Sequence, residues 1–133
     1  MPVTANIRRL PQADVRPIGG GKYRVDKRYV YERTVHIEVP EGFECDLASM
    51  PLGIGKGGLE EAAALLHDYE YSRAGLPGTR SRIEIDLDWY WNVLWAGRSK
   101  AYAWVVFRGV RWFGWIAWRR HKRRNLKKAK DAA

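Results

Sequence analysis

Residues 101–118, "AYAWVVFRGVRWFGWIAW", form the longest apolar run in the chain, and they limit what the rest can be. A strand is too short an element for such a run, and a helix of this length must find something to cover its aromatic side chains. Arg108 and Arg111 fall in its middle. Each would cost about 2.5–3.5 kcal/mol at the centre of a bilayer, so the run does not read as a membrane span. At about 100° per residue, Lys100, Arg108, Arg111, Arg119 and Lys122 fall on one stripe, which makes this an amphipathic helix with a wide aromatic face. It is expected to run from about Lys100 to Lys122 or beyond. Two fates for the aromatic face stay open. It is buried against the domain core, or it lies in the plane of a membrane through Trp104, Trp112, Trp115 and Trp118.

Directly after it comes "RRHKRRNLKKAKDAA", residues 119–133, with eight Lys or Arg and one Asp. This segment supplies +7 of the net charge of +9, so basicity belongs to the end of the chain. Arg119, Arg120, Lys122, Arg123 and Arg124 are the candidates for binding a polyanion, either nucleic acid or anionic lipid. The alternative is a solvated helix end whose cations suit the negative end of the helix dipole.

At 133 residues the chain is expected to form one domain with one core. The single Cys45 excludes an intramolecular disulfide framework and a multi-cysteine zinc site. Residues 1–18 carry Arg8, Arg9, Asp14 and Arg16 and no apolar stretch, so no secretory signal is expected and a cytoplasmic setting is.

Upstream, residues 1–21 read as an irregular segment, with Pro2, Pro11, Pro17 and a turn at Gly19–Gly21. "KYRVDKRYVYERTVHIEV", residues 22–39, is rich in Tyr, Val and Ile and alternates at Val35, Ile37 and Val39. It reads as two antiparallel strands around a turn near Glu32–Arg33. "LGIGKGG" reads as flexible, and a helix is expected from about Leu59 to Ser72. Ser81 with Glu84 three residues on is a capping box opening a second helix, about Arg82 to Ala96, with Ile83, Leu87, Tyr90 and Leu94 along one face. Gly97 ends it. The expected fold is α+β: a small N-terminal antiparallel sheet packed on about three helices, residues 22–118, followed by a basic tail, residues 119–133.

The segment "GIGKGG" lacks the GK[ST] ending of a phosphate-binding loop, and neither HExxH nor CxxC occurs. What remains is a set of polar residues at positions where a core would favour apolar ones. His67 and Asp68 follow "AAALL", Tyr71 lies one turn on, Asp46 and Ser49 share a loop, and Asp86 sits between Ile85 and Leu87. If the first two helices pack antiparallel, His67, Asp68 and Asp86 converge and the preceding loop brings in Asp46. Three chemistries fit. Asp46, His67 and Asp86 would hold a divalent cation, Zn²⁺, Mn²⁺ or Ca²⁺, which activates a water. Ser49 would act as nucleophile with His67 as base and an aspartate, Asp68 among them, as orienter. Or the set is a buried hydrogen-bonded network in which Asp46 and Asp86 cap helices and Arg80 or Arg82 neutralises the charge.

Four ordered blocks resemble the domain-of-unknown-function family 1353, small proteins encoded largely by bacteriophages and prophages. They are "VPEGFECDLASMP", "AAALLHDYEYS", "SRIEIDLDWYWNVL" and "VVFRGVRWFGWIAW". The resemblance spans residues 22–118 and marks out Phe43, Asp46, Ser49, Pro51, His67, Asp68, Tyr71, Arg82, Asp86 and Arg111. Ile85, Trp89 and Cys45 depart from the residues usual there, and the basic tail lies outside it. The resemblance implies a phage or prophage origin. Two functions stay open. One is a small hydrolase of a cell-envelope or phosphate-containing substrate, with Tyr71, Arg82 and Arg111 available for binding anionic groups. The other is a non-catalytic accessory or virion-associated protein that binds a phage or host protein, nucleic acid or a membrane surface. Either would act in the host cytoplasm, on the virion or at a membrane.

Overall fold

The computed structural model describes residues 10–33, 35–46 and 59–132. Ser49, Pro51 and the "LGIGKGG" segment lie outside them. The architecture is α+β, with five short strands followed by three helices. Strands β1 (Val15–Gly19), β2 (Lys22–Val25) and β5 (Glu44–Cys45) make one antiparallel sheet in the order β1-β2-β5. Strands β3 (Tyr29–Glu32) and β4 (His36–Val39) make a separate hairpin, with Tyr29 opposite Val39 and Glu32 opposite His36. The hairpin around Arg33 is as expected.

β1 corrects the reading of residues 1–21 as irregular. Its sequence, VRPIG, carries Pro17, which hides the strand signal. Pro17 sits at an edge, where no ladder donor is required of it, opposite Tyr23. The three glycines that follow turn the chain with positive φ, 93°, 64° and 74° at Gly19, Gly20 and Gly21. Two sheets thus stand where one was expected.

Helix α1 (Glu61–Ser72) is buried from Ala62 through His67, all round its axis. A helix with so little polar surface belongs in the middle of a fold, and α1 packs against α2, α3, β4 and β5. Helix α2 (Arg82–Trp95) opens on the expected capping box. Ser81 Oγ accepts from the Glu84 backbone N–H, and Glu84 accepts from the Ser81 backbone N–H in return. It closes at Gly97, φ 106°, where Gly97 N–H donates to Leu94 O and Arg98 N–H to Val93 O. Its buried side is Ile85, Asp86, Trp89, Asn92 and Val93. Of the expected face, Ile83 and Leu87 are exposed, while Tyr90 and Leu94 pack partly buried against the core. Trp89, the bulkiest fully buried side chain, draws the helix round so that its own face turns inward.

Ser99 caps helix α3, Lys100–Asp131, by accepting from Tyr102 N–H. The helix therefore runs through the basic segment. Asn125 explains why this end follows the body of the protein. Its Nδ2 donates to Ser72 O at 2.8 Å and Ala74 O at 2.9 Å, satisfying the open carbonyls at the end of α1. A second tie lies at the start of α1. Buried Glu60 accepts from Arg98 Nε at 2.6 Å and Tyr102 Oη at 2.7 Å. No helix among the described residues is long and apolar enough to cross a membrane.

Candidate functional site

Asp86 sits in the second turn of α2, between two apolar neighbours, and is wholly buried. An isolated carboxylate there would be strongly disfavoured, so its surroundings must compensate. They do so from three helices. Oδ1 lies 2.8 Å from His67 Nε2 and accepts from Tyr71 Oη at 2.7 Å, both on α1. Oδ2 accepts from Arg111 Nη1 of α3 at 2.7 Å, and Arg82 Nη1 stands 3.5 Å away. Burial alone would raise the pKa of Asp86, but the bonds from His67, Tyr71 and Arg111 hold it below the usual carboxylate range. Burial, together with the charge of Asp86, pushes the Tyr71 phenol up, so it stays a donor.

Close approach makes the cluster possible. Tyr71 reaches Asp86 past Gly114 of α3, where an added Cβ would stand 2.6 Å from the phenol oxygen. Arg82 spans the same gap. It donates to the carbonyls of Val110 at 3.1 Å and Arg111 at 3.3 Å, which fastens α2 to α3. The expected convergence of His67 and Asp86 is therefore present, with a different division of labour. Arg82 and Arg111, expected to meet anionic ligands, face inward on Asp86. Tyr71 is buried and engaged.

Both oxygens of the Asp86 carboxylate are engaged by protein donors, Oδ1 by His67 and Tyr71 and Oδ2 by Arg111. Among the described residues, no three His, Cys, Asp or Glu side chains gather so as to hold a metal ion. Nor does Asp86 cap a helix, since it lies inside α2.

Beside the cluster opens a cleft of about 440 Å³. His67, Asp68 and Asp46 line it, while Asp86 lies behind His67 and does not. Lys22, Arg120 and Arg124 also line it, as does His121. Burial and the neighbouring Arg124 and Arg120 push His121 down, against the opposing pull of Asp46. Arg120 and Arg124, two of the expected polyanion residues, are thus part of this cleft. Arg119, Lys122 and Arg123 are exposed outside it. His67 has one further property. It is 5% exposed, and its second ring nitrogen, Nδ1, is buried without a hydrogen-bond partner among the described residues. With Nε2–H donating to Asp86, the neutral ring carries its lone pair on Nδ1. Aspartate-oriented histidine with an unused lone pair is an arrangement for taking up a proton.

The sequence profile described as "Protein of unknown function (DUF1353)" matches residues 23–110, more than half of the chain. The chain belongs to DUF1353. No curated protein and no solved structure matches it. The match covers the strands from Tyr23 and runs into α3 as far as Val110, one residue short of Arg111. His67, Tyr71, Arg82 and Asp86 thus fall inside the DUF1353 region, and the basic half of α3, with Arg120 and Arg124, falls outside.

Proposed function

We propose that this DUF1353 protein binds an anionic, phosphate-bearing or cell-envelope substrate in the cleft and hydrolyses it with His67 as general base. The observation that carries the reading is the unpartnered Nδ1 of a histidine whose other nitrogen is held by Asp86. In the reaction, Nδ1 takes the proton of a water as its oxygen attacks the phosphoryl or acyl centre. Asp86 stabilises the imidazolium through Nε2–H, and the same proton passes to the departing oxygen. Lys22, Arg120 and Arg124 supply positive charge for the substrate and for charge developing on it. Asp46 and Asp68 line the same cleft, where a carboxylate can orient the water.

Nδ1 is closed to water, so a substrate has to displace part of the cleft wall to reach it. That requirement separates the hydrolase from a second reading, in which the cleft binds an anionic partner without turnover. The enclosed Asp86 favours this second reading, because a buried carboxylate bonded from α1 and α3 is also a device for locking three helices together. A phage or prophage gene product in the host cytoplasm or on the virion is the setting for either. The test is hydrolysis of bis(p-nitrophenyl) phosphate and p-nitrophenyl acetate by the wild-type protein and His67→Gln. Turnover lost on substitution, with the fold retained, supports the hydrolase. Equal rates in both, or none in either, would leave binding without turnover as the function of the cleft.

A further inference from the structure

The outward face of α3 has no partner among the described residues, and its composition is specific. Trp104, Val105, Trp112, Trp115 and Ile116 are all exposed, Trp112 by 67%. At helical spacing they share one side, opposite Ala103, Val106 and Val110, which pack into the core. A contiguous set of this kind marks an interaction surface, unlike a scattered apolar residue. The same side continues without a break into Arg119, Arg123 and Lys130. Trp118, expected to belong to the aromatic face, does not. It is half-buried and meets Tyr71 edge-on at 5.2 Å.

We propose that this face of α3 lies in the plane of an anionic lipid surface, with the indoles and aliphatic side chains at headgroup depth and the basic half of the helix on the phosphates. The charge pattern selects this occupant. Asp131, at the far end, is the sole acidic residue of the helix, so a second copy of the face would bring cations and no counter-charge. Nucleic acid would supply negative charge, but nothing apolar for Val105 and Ile116. A membrane interface supplies both. Tryptophan is at home at that depth, with an apolar ring and an N–H for the wet side. Arginine guanidinium groups stand level with the rings, Arg108 5.7 Å from the Trp104 centroid and Arg119 5.8 Å from that of Trp115. Juxtamembrane cations are attracted to the negative surface of an anionic leaflet, so the basic half recruits and the aromatic half inserts. This surface is separate from the cleft, which α3 meets on its flank through Gly114, Ala117 and His121.

The test is flotation of the full chain with vesicles of phosphatidylglycerol and phosphatidylcholine in equal parts, and with phosphatidylcholine alone, at physiological salt. Expected are binding to the mixed vesicles, at least tenfold weaker binding to the neutral ones, and at least tenfold loss in W112S/W115S/I116S. The three substituted side chains are exposed, and superimposable circular dichroism melts would establish that the variant folds. Brominated phosphatidylcholine mixed into the anionic vesicles gives an independent reading on the wild-type protein, since inserted indoles are quenched. Absence of binding to the anionic vesicles would overturn the proposal. So would binding without quenching, which would reduce the helix to a non-specific polycation. A dimer in sedimentation equilibrium that the triple substitution dissociates would assign the face to a second copy instead. Equal loss of duplex DNA binding in the same variant would assign it to nucleic acid.

Discussion

His67 Nε2 and Asp86 Oδ1 lie 2.8 Å apart in the interior, joining α1 to α2 across nineteen positions of sequence. The same carboxylate takes Tyr71 Oη on Oδ1 and Arg111 on Oδ2, so one side chain on α2 connects all three helices. Removing it strands the buried His67 Nε2–H and Tyr71 O–H. Asp86→Ala is expected to lower the free energy of unfolding by about 3–5 kcal/mol, as when one partner of a buried ion pair is deleted. Urea unfolding followed by tryptophan fluorescence measures it. A loss below about 1 kcal/mol would mean that the cluster does not hold the helices together.

Acid should act through the same residue. The folded-state value of Asp86 lies below its ordinary one, and so does that of Glu60, where burial is outweighed by Arg98 and Tyr102. A depressed carboxylate adds stability that is fully present above its unfolded value, roughly pH 4, and is lost as pH falls through the folded value. The melting temperature is therefore expected to hold near neutrality and drop below about pH 4. Glu60→Gln should flatten part of that drop, an effect absent if the acid response comes from elsewhere.

At Gly114 two effects oppose each other. An alanine in mid-helix gains roughly 1 kcal/mol from propensity. Here its Cβ would stand 2.6 Å from Tyr71 Oη and 3.3 Å from Arg82 Nη1, and overpacking of this kind costs about 1–3 kcal/mol. Gly114→Ala is expected to destabilise. Adding Tyr71→Phe, which removes the clashing oxygen, should make the double variant less unstable than the sum of the singles. Additive losses in thermal melts would show that the two residues do not press on each other.

Ion pairs away from the interior sort by exposure. Arg80 bridges Glu70 at 2.6 Å and Asp88 at 2.7 Å, linking α1 to α2 with all three side chains largely covered. Arg16 and Asp26 meet at 3.0 Å in open solvent. Arg80→Met is expected to cost about 1–3 kcal/mol and Arg16→Met less than about 0.5. Similar effects at the two sites, compared by urea midpoint, would contradict this ordering.

Much of the fold was legible because its signals are local. Ser81 with Glu84, Gly97, and the tyrosine and valine alternation of the hairpin each announce a boundary within a few residues. β1 was not, since Pro17 masks a strand that is decided by pairing with Tyr23 and Val25. The buried face of α2 was displaced from the expected one because Trp89 outweighs Ile83 and Leu87, a matter of packing volume that periodicity does not weigh. His67 and Asp86 could be marked as out of place in an apolar setting. That Arg82 and Arg111 answer Asp86 instead of a ligand depends on the crossing of α2 and α3. Glu60 gave no local sign of its burial, since its partners Arg98 and Tyr102 lie about forty positions away. Asn125 was hidden in the same way, inside a run that charge alone seemed to explain.

The proton on His67 is the most direct test of the site. A long-range ¹H–¹⁵N correlation spectrum of labelled protein, assigned by comparison with His67→Gln, reads which ring nitrogen carries it. The expected result is a protonated Nε2 on Asp86 and a bare Nδ1 whose resonance moves when inorganic phosphate is titrated into the cleft. A proton on Nδ1 and a resonance indifferent to phosphate would contradict the assignment of His67 as a general base serving an anionic substrate.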